Sequence, residues 1–149
     1  MKPYRLRVVR DTDITYPEGR ASNPAAAAQY LRDHVFPKDQ SWRENAFLLT
    51  LDAAMNVTSV LHLSMGDHDS TAFDKKLIVK AALDTFSTCV LLAHNHPSGD
   101  PAPSGTDIRM TKELKQAVGA FGINLADHIV LAEDSFFSFA ADRIQKYPN

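Results

Sequence analysis

Four residues of this chain, Glu44, His94, His96 and Asp107, have side-chain types that fit metal-assisted hydrolysis. An uninterrupted apolar run, Cys89-Val90-Leu91-Leu92-Ala93, ends in His94-Asn95-His96; a polar loop follows, and then an amphipathic pattern begins. Alternate residues of a strand project to one side, so His94 and His96 face the same way, roughly 6.5–7 Å apart at Cα, with Asn95 facing the other. Two imidazoles so placed converge on one ion. Pro97 and Ser98-Gly99 turn the chain sharply, which makes Asp107 the best-placed third ligand. Two neutral nitrogens and one carboxylate oxygen leave a fourth tetrahedral position for water, the pattern of a catalytic zinc site. Zinc lowers the pKa of that water from about 16 toward 7 and supplies hydroxide at neutral pH.

Each residue also has a plainer reading. Ser104-x-x-Asp107 matches a capping box at the start of a helix; the two roles are compatible, because a residue on the first helical turn can still face an ion. Asp100, between Gly99 and Pro101, reads as a turn residue. His128, after Asp127 in a strand pattern, reads as a hydrogen-bonded core residue, and His34, His62 and His68 have no sequence neighbours that support a ligand role. A hydrolase also needs a general base. Of the four glutamates, Glu18 lies in a loop, Glu113 well along a helix on its solvent face, and Glu133 in an acidic turn. Glu44 heads a buried strand that can lie beside the central one and is the choice, against the alternative of an ordinary charged strand cap.

These residues must be held by a framework, and the pattern predicts one. Tyr4 to Val9 reads as a first strand. Asn23-Pro24 reads as an N-cap with proline at the first helical position, opening a helix to Val35 or Phe36 that Pro37 ends. Glu44 opens a buried strand; Asp52 to Asn56 is a turn and Val57 to Leu63 the second arm of a hairpin. Gly66 to Ser70 is a loop. Asp74 caps a helix through Leu77, Ile78, Ala81, Ala82 and Phe86. Thr88 to Ala93 suits a central strand, apolar on both faces. A helix from about Thr106 to Phe121 places Met110, Leu114, Ala117 and Phe121 on one stripe, with Gly122 as its left-handed stop. Ile123 to Ala132 and Phe136 to Phe139 read as strands, and Ala140 to Gln145 as a short helical tail. The class is α/β or α+β around one mixed sheet flanked by helices.

Composition narrows the function. The chain of 149 residues fits one domain with a real core. Its net charge of −2, with no Lys/Arg block, shows no field for nucleic acid. One cysteine, Cys89, excludes an internal disulfide and a Cys-rich zinc site. With no signal-peptide core at the N-terminus and no apolar stretch of membrane-spanning length, the expectation is a cytoplasmic protein with no membrane partner.

Glu44, His94-Asn95-His96-Pro97 and Ser104-x-x-Asp107 together resemble the JAMM motif of MPN-type metalloproteases. More narrowly, HNHPSGDPAPS with the later LADHIVL and SFFSFA resembles the RadC-like JAB-domain proteins of bacteria, once described as DNA repair proteins. The likeness covers about Glu44 to Arg143, and the helix at Asn23 to Phe36 is similar as well. It implies the MPN fold, related to the cytidine deaminase architecture, over residues 44–149, with residues 1–43 an N-terminal extension of strand plus helix packed on it. It further implies one zinc ion per chain held by His94, His96 and Asp107, Glu44 as the proton-transferring base, and Ser104 as donor to the developing oxyanion. The implied function is a zinc-dependent peptidase or isopeptidase; eukaryotic relatives cleave isopeptide bonds to ubiquitin-like proteins. The partner expected is a peptide or protein substrate; a homodimer is compatible, and DNA is not supported by charge.

Two departures touch the substrate groove. Lys75-Lys76-Leu77 stands where the family has Pro-Arg-Glu, and Ser138-Phe139-Ala140-Ala141 where it has Ser-Phe-Ala-Glu. The helix-hairpin-helix segment that precedes the domain in full-length RadC proteins is not recognisable in residues 1–43. The alternatives are a DNA repair or recombination factor of the RadC type and a non-catalytic MPN interaction module; relatives of the latter kind lose ligands, whereas every position is present here. A zinc deaminase needs a Pro-Cys-x-x-Cys pair, which the lone Cys89 excludes.

Overall fold

A computed structural model describes residues 15–36, 43–66 and 74–148. The first strand expected at Tyr4 to Val9, the stop at Pro37 and nearly all of the Gly66 to Ser70 loop lie outside them. Among the described residues the elements run α1 (Pro24–Tyr30), β1 (Glu44–Leu51), β2 (Val57–Gly66), α2 (Lys75–Asp84), β3 (Cys89–Asn95), α3 (Gly105–Gly119), β4 (Asn124–Leu131), β5 (Ser135–Ser138) and β6 (Arg143–Lys146). The Asn23 side chain accepts from the Ala26 N–H at the start of α1, as its sequence signature requires. The helix then widens into a π turn over Leu31–Val35, closed by a bond from the Phe36 N–H to the Leu31 carbonyl.

All six strands form one mixed sheet in the order β2-β1-β3-β4-β5-β6. β3 pairs antiparallel with β1 and parallel with β4, the latter through the crossover helix α3. Alternation sorts the side chains onto two packed faces. Phe47, Leu49, Leu51, Leu91, Ala93, Ile129 and Leu131 meet α1 on one side. Ala46, Leu48, Val90 and Leu92 meet Ile78, Ala81 and Ala82 of α2 and Leu114 and Val118 of α3 on the other. This double covering explains why β3 is apolar on both faces.

Three local expectations are corrected. The Ala140 to Gln145 segment is not a helical tail: the chain turns at Asp142, with φ 51°, and β6 pairs with β5. A helix that short has almost no internal hydrogen bonds to hold it, whereas the open edge of β5 offers a ladder. Phe86 is not on the buried face of α2; the helix has ended, and Phe86 sits at φ 53° and is 93% exposed. The buried stripe of α3 is Leu114 and Val118, with Asp107 two turns before Leu114, while Phe121 lies beyond the helix end and is exposed.

Candidate metal centre

The site lies at the carboxyl end of β3, where parallel α/β sheets place ligands. The strand carries His94, fully buried, onto the α3 face, and extension through Asn95 brings His96 to the same side. The His96 N–H still bonds to the Leu131 carbonyl of β4, at 2.8 Å, so the sheet fixes the backbone of both histidines. The turn that follows closes with the Gly99 N–H on the His96 carbonyl, and Gly99 adopts φ 84°. A side chain there would be strained.

Asp107 closes the cap of α3 and also faces the two histidines. At the start of α3 the Ser104 hydroxyl accepts from the Asp107 N–H while Asp107 Oδ2 accepts from the Ser104 N–H, at 3.1 and 2.7 Å, a complete capping box. The same carboxylate turns inward. Its Oδ1 stands 3.4 Å from His94 Nε2 and its Oδ2 3.5 Å from His96 Nε2, and the two Nε2 atoms are 2.9 Å apart. Ser104 also donates its hydroxyl hydrogen to Asp107 Oδ2 at 2.8 Å.

Glu44 reaches this cluster from β1, whose Ala46 pairs with His94. Ligand atoms of Glu44, His94 and His96 all lie within 4.8 Å of one another. Asn95, facing away from the histidines, clamps the start of β1. Its Oδ1 accepts from the Asn45 N–H at 2.6 Å, and its Nδ2 donates to the Arg43 carbonyl at 2.8 Å, on either side of Glu44. The strand pair and this clamp bring together residues fifty positions apart in the chain.

The electrostatics follow from this packing. Burial would raise the Asp107 carboxyl, but hydrogen bonds from His94 and His96 and the charge they carry when protonated hold it well below the usual carboxylate range. Burial pulls the His96 imidazole down, yet its bonds to Asp107 and to the Asp100 carbonyl, with the charges of Asp107 and Glu44, leave it raised. His96 Nδ1 lies 2.9 Å from that Asp100 carbonyl, which can only accept, so the neutral ring keeps its proton on Nδ1 and turns the Nε2 lone pair inward. A basic nitrogen, a second imidazole and two carboxylate oxygens therefore gather around one point, an arrangement of acceptors that requires a proton or a cation at its centre. Nitrogen and oxygen donors of this kind suit a transition metal, and the residues fit one.

The residues set aside in the sequence divide clearly. Asp100 contributes its carbonyl, and Asp100 Oδ1 caps the turn at the Ala102 N–H. His62 stacks on Phe47 and His34 packs against Tyr30, and both of those partners belong to the core on the α1 side of the sheet. Glu113 pairs with Lys75 across α2 and α3, which ties the first of the departing residues to the helix that carries Asp107. His128 is more than a core residue. It is fully buried, with Nε2 at 2.8 Å from His94 Nδ1 and Nδ1 at 2.6 Å from Thr111 Oγ1. Burial, and then the neighbouring His94, hold its pKa well below the ordinary value. The signal for it was the offset on parallel strands: His128 pairs with Leu92, two residues before His94 and on the same face. Thr111 follows Asp107 by one helical turn.

Comparison with known proteins agrees with this geometry. The RadC-like JAB domain matches residues 21–144. This chain belongs to the RadC-like JAB domain family. The match takes in α1 as well as β1 to β5 and the start of β6, so the helix before Glu44 is shared with the family. UPF0758 proteins are similar over most of the chain. That of Coprothermobacter proteolyticus is 33% identical over 131 residues, 87% of this chain and 56% of the relative. That of Shouchella clausii is 34% identical over 132 residues, 89% and 55% respectively. That of Neisseria meningitidis serogroup B is 36% identical over 118 residues, 79% and 51%. The chain thus spans about half the length of the curated relatives it matches. Among the described residues no helix is long and apolar enough to cross a membrane.

Proposed function

We propose that this RadC-like JAB domain is a zinc-dependent hydrolase of peptide or isopeptide bonds in a peptide or protein substrate, acting in the cytoplasm. The observation that carries the reading is the convergence of Glu44, His94 and His96 within 4.8 Å, with Asp107 facing both imidazoles. His94, His96 and Asp107 would hold the ion, one per chain. When bound, zinc supplies Lewis-acid polarisation of the scissile carbonyl and acidifies water beside it.

The chain's own groups do the rest. The Glu44 carboxylate accepts a proton from the attacking water as its oxygen adds to the carbonyl carbon, and delivers that proton to the departing nitrogen as the C–N bond breaks. Ser104 is the donor to the developing oxyanion. Its hydrogen is given to Asp107 in this structure, so the role requires the hydroxyl to rotate once Asp107 faces a cation. Asn95 holds the backbone on both sides of Glu44, so the base stays within reach of the cluster.

The test is metal content followed by a peptide-library digestion, wild type against Glu44→Gln. The expected outcome is one zinc per chain in both proteins and cleavage by the wild type alone, with a loss of about 10²–10⁴-fold in the variant. Wild-type protein that carries no metal and gains no thermal stability from added zinc rules the reading out, and unchanged cleavage by Glu44→Gln removes Glu44 from the mechanism.

A further inference from the structure

The polar groups behind His94 form a chain whose proton positions can be worked out one atom at a time. It starts at Thr111. The Thr111 hydroxyl lies 2.6 Å from the Asp107 carbonyl of its own helix and 2.6 Å from His128 Nδ1. A carbonyl only accepts, so the single hydroxyl hydrogen goes there, and Thr111 Oγ1 must accept from a proton on His128 Nδ1. With that Nδ1 hydrogen given to Thr111, the neutral His128 ring carries its lone pair on Nε2. That atom faces His94 Nδ1 at 2.8 Å, so His94 donates from Nδ1 and directs the lone pair of its own Nε2 at His96 and Asp107.

The surroundings hold His128 in the one orientation that permits this. The Phe139 ring stacks on the imidazole at 4.8 Å with an interplanar angle of 4°. The Phe139 N–H donates to the His128 carbonyl at 3.0 Å. Buried Asp127 fastens the two segments together, accepting from the N–H groups of His128 and Ala140 and from the Ser138 hydroxyl at 2.7, 2.9 and 2.6 Å. The Asp127-His128 pair and the Ser138-Phe139-Ala140 stretch, without a place in the hydrolytic scheme, thus meet at one ring.

We infer that His128 and Thr111 are positioning residues that lock His94 in the tautomer with Nδ1–H, keeping Nε2 available to a metal ion. The inference rests on the metal reading above for its purpose and on hydrogen bonds alone for its direction. Valine at position 111 removes the acceptor, so the His128 proton can move to Nε2 and donate to His94 Nδ1. The His94 proton is then displaced to Nε2, where it blocks the site. Loss of such an outer hydrogen bond typically weakens metal affinity by about 10–100-fold.

Two measurements on the full chain test it. Zinc affinity, by competition with a chelator, is expected to weaken about 10–100-fold in Thr111→Val and His128→Leu. Thr111→Ser restores the hydroxyl and His128→Gln an acceptor for His94, so both are expected within a few-fold of wild type. Wild-type affinity in both Thr111→Val and His128→Leu overturns the inference; should His128→Leu not fold, Thr111→Val against Thr111→Ser decides alone. The second measurement is the imidazole ¹H–¹⁵N NMR spectrum of metal-free protein at mildly alkaline pH. It is expected to show His94 protonated on Nδ1 in the wild type and on Nε2 in Thr111→Val. An Nε2–H on wild-type His94, or no change in the variant, sinks the proposal. A wild type that binds no zinc defeats the metal reading, and the relay is then judged by this spectrum.

Discussion

The two faces of the central sheet are built from the same strands and differ in what they demand of the residues that cover them. Against α1, Phe47, Leu49, Leu91, Ala93, Ile129 and Leu131 form an apolar layer. Against α2 and α3, the layer begins with Leu48, Val90 and Leu92 and finishes in His94, His128, Thr111 and Asp107. Dispersion and burial are nearly non-directional, so that apolar layer needs only volume and fit. The polar end of the second face has to satisfy every donor and acceptor in a dry environment, and one wrong group leaves several others unpaired. Identical strand geometry therefore gives one surface that tolerates repacking and one that does not.

That contrast can be broken most directly by truncating side chains on each face separately. His94→Ala with His96→Ala is expected to reduce bound zinc from one per chain to none, read by metal analysis. Leu91→Ala, on the other face, is expected to cost roughly 2–5 kcal/mol in denaturant unfolding while metal content stays at wild type. Loss of metal from the Leu91 variant at temperatures where it is still folded would show that the faces are not independent.

The next effect separates charge from hydrogen bonding at the corner behind the cluster. Burial raises the Asp127 carboxyl, while its bonds from Ser138 and the neighbouring N–H groups oppose that shift. Asp127→Ala strands those donors and is expected to cost roughly 2–4 kcal/mol. Asp127→Asn keeps an acceptor for the N–H groups and a donor for Ser138, and is expected to stay within about 1 kcal/mol. Thermal melts of the two variants check the order.

Asn95 sharpens the comparison further because its two bonds span the strands themselves. Asn95→Ala leaves the Asn45 N–H and the Arg43 carbonyl without this partner, an expected loss of roughly 1–3 kcal/mol. Zinc binding is expected to persist while turnover falls by up to about 10²-fold, because Glu44 is no longer held. Equal losses of metal and turnover would argue against the clamp.

The smallest effect belongs to the apolar face. Burial pushes the Tyr147 phenol up to about 12 from its ordinary 10.0, although the nearby Arg32 opposes the shift. Its hydroxyl donates to the Ala132 carbonyl at 3.0 Å. The folded pKa is raised, so the contribution is fully present below pH 10 and is lost as pH climbs toward 12. Tyr147→Phe is expected to cost about 1 kcal/mol at neutral pH and to flatten the alkaline limb of the stability curve, followed by unfolding at stepped pH.

Strong patterns made much of this architecture legible before any coordinates. The caps at Asn23, Asp74 and Ser104, the apolar run of β3 and the hairpin from Glu44 all read correctly, because each depends on residues within a few positions of one another. The cluster of Glu44, His94, His96 and Asp107 was legible as chemistry and as family likeness, and the fold brings these residues together. What escaped depended on strand register and helix phase. His128 looks like core because it is core, and its partner His94 is defined only by the offset of two parallel strands. Val118 was missed on α3 because Ala117 and Phe121 fit a helical stripe equally well on paper. The final strand was missed because an edge partner is invisible to local periodicity.

The clamp by Asn95 has one more consequence, in the order of synthesis. Glu44 leaves the ribosome first, the histidines follow fifty residues later, then Asp107, and finally His128. Because β1, β3, α3 and β4 each contribute one part, no fragment of the nascent chain holds a complete site. The cluster of Glu44, His94, His96 and Asp107 comes together only after α3 has emerged, and the support of His94 by His128 follows only when β4 docks.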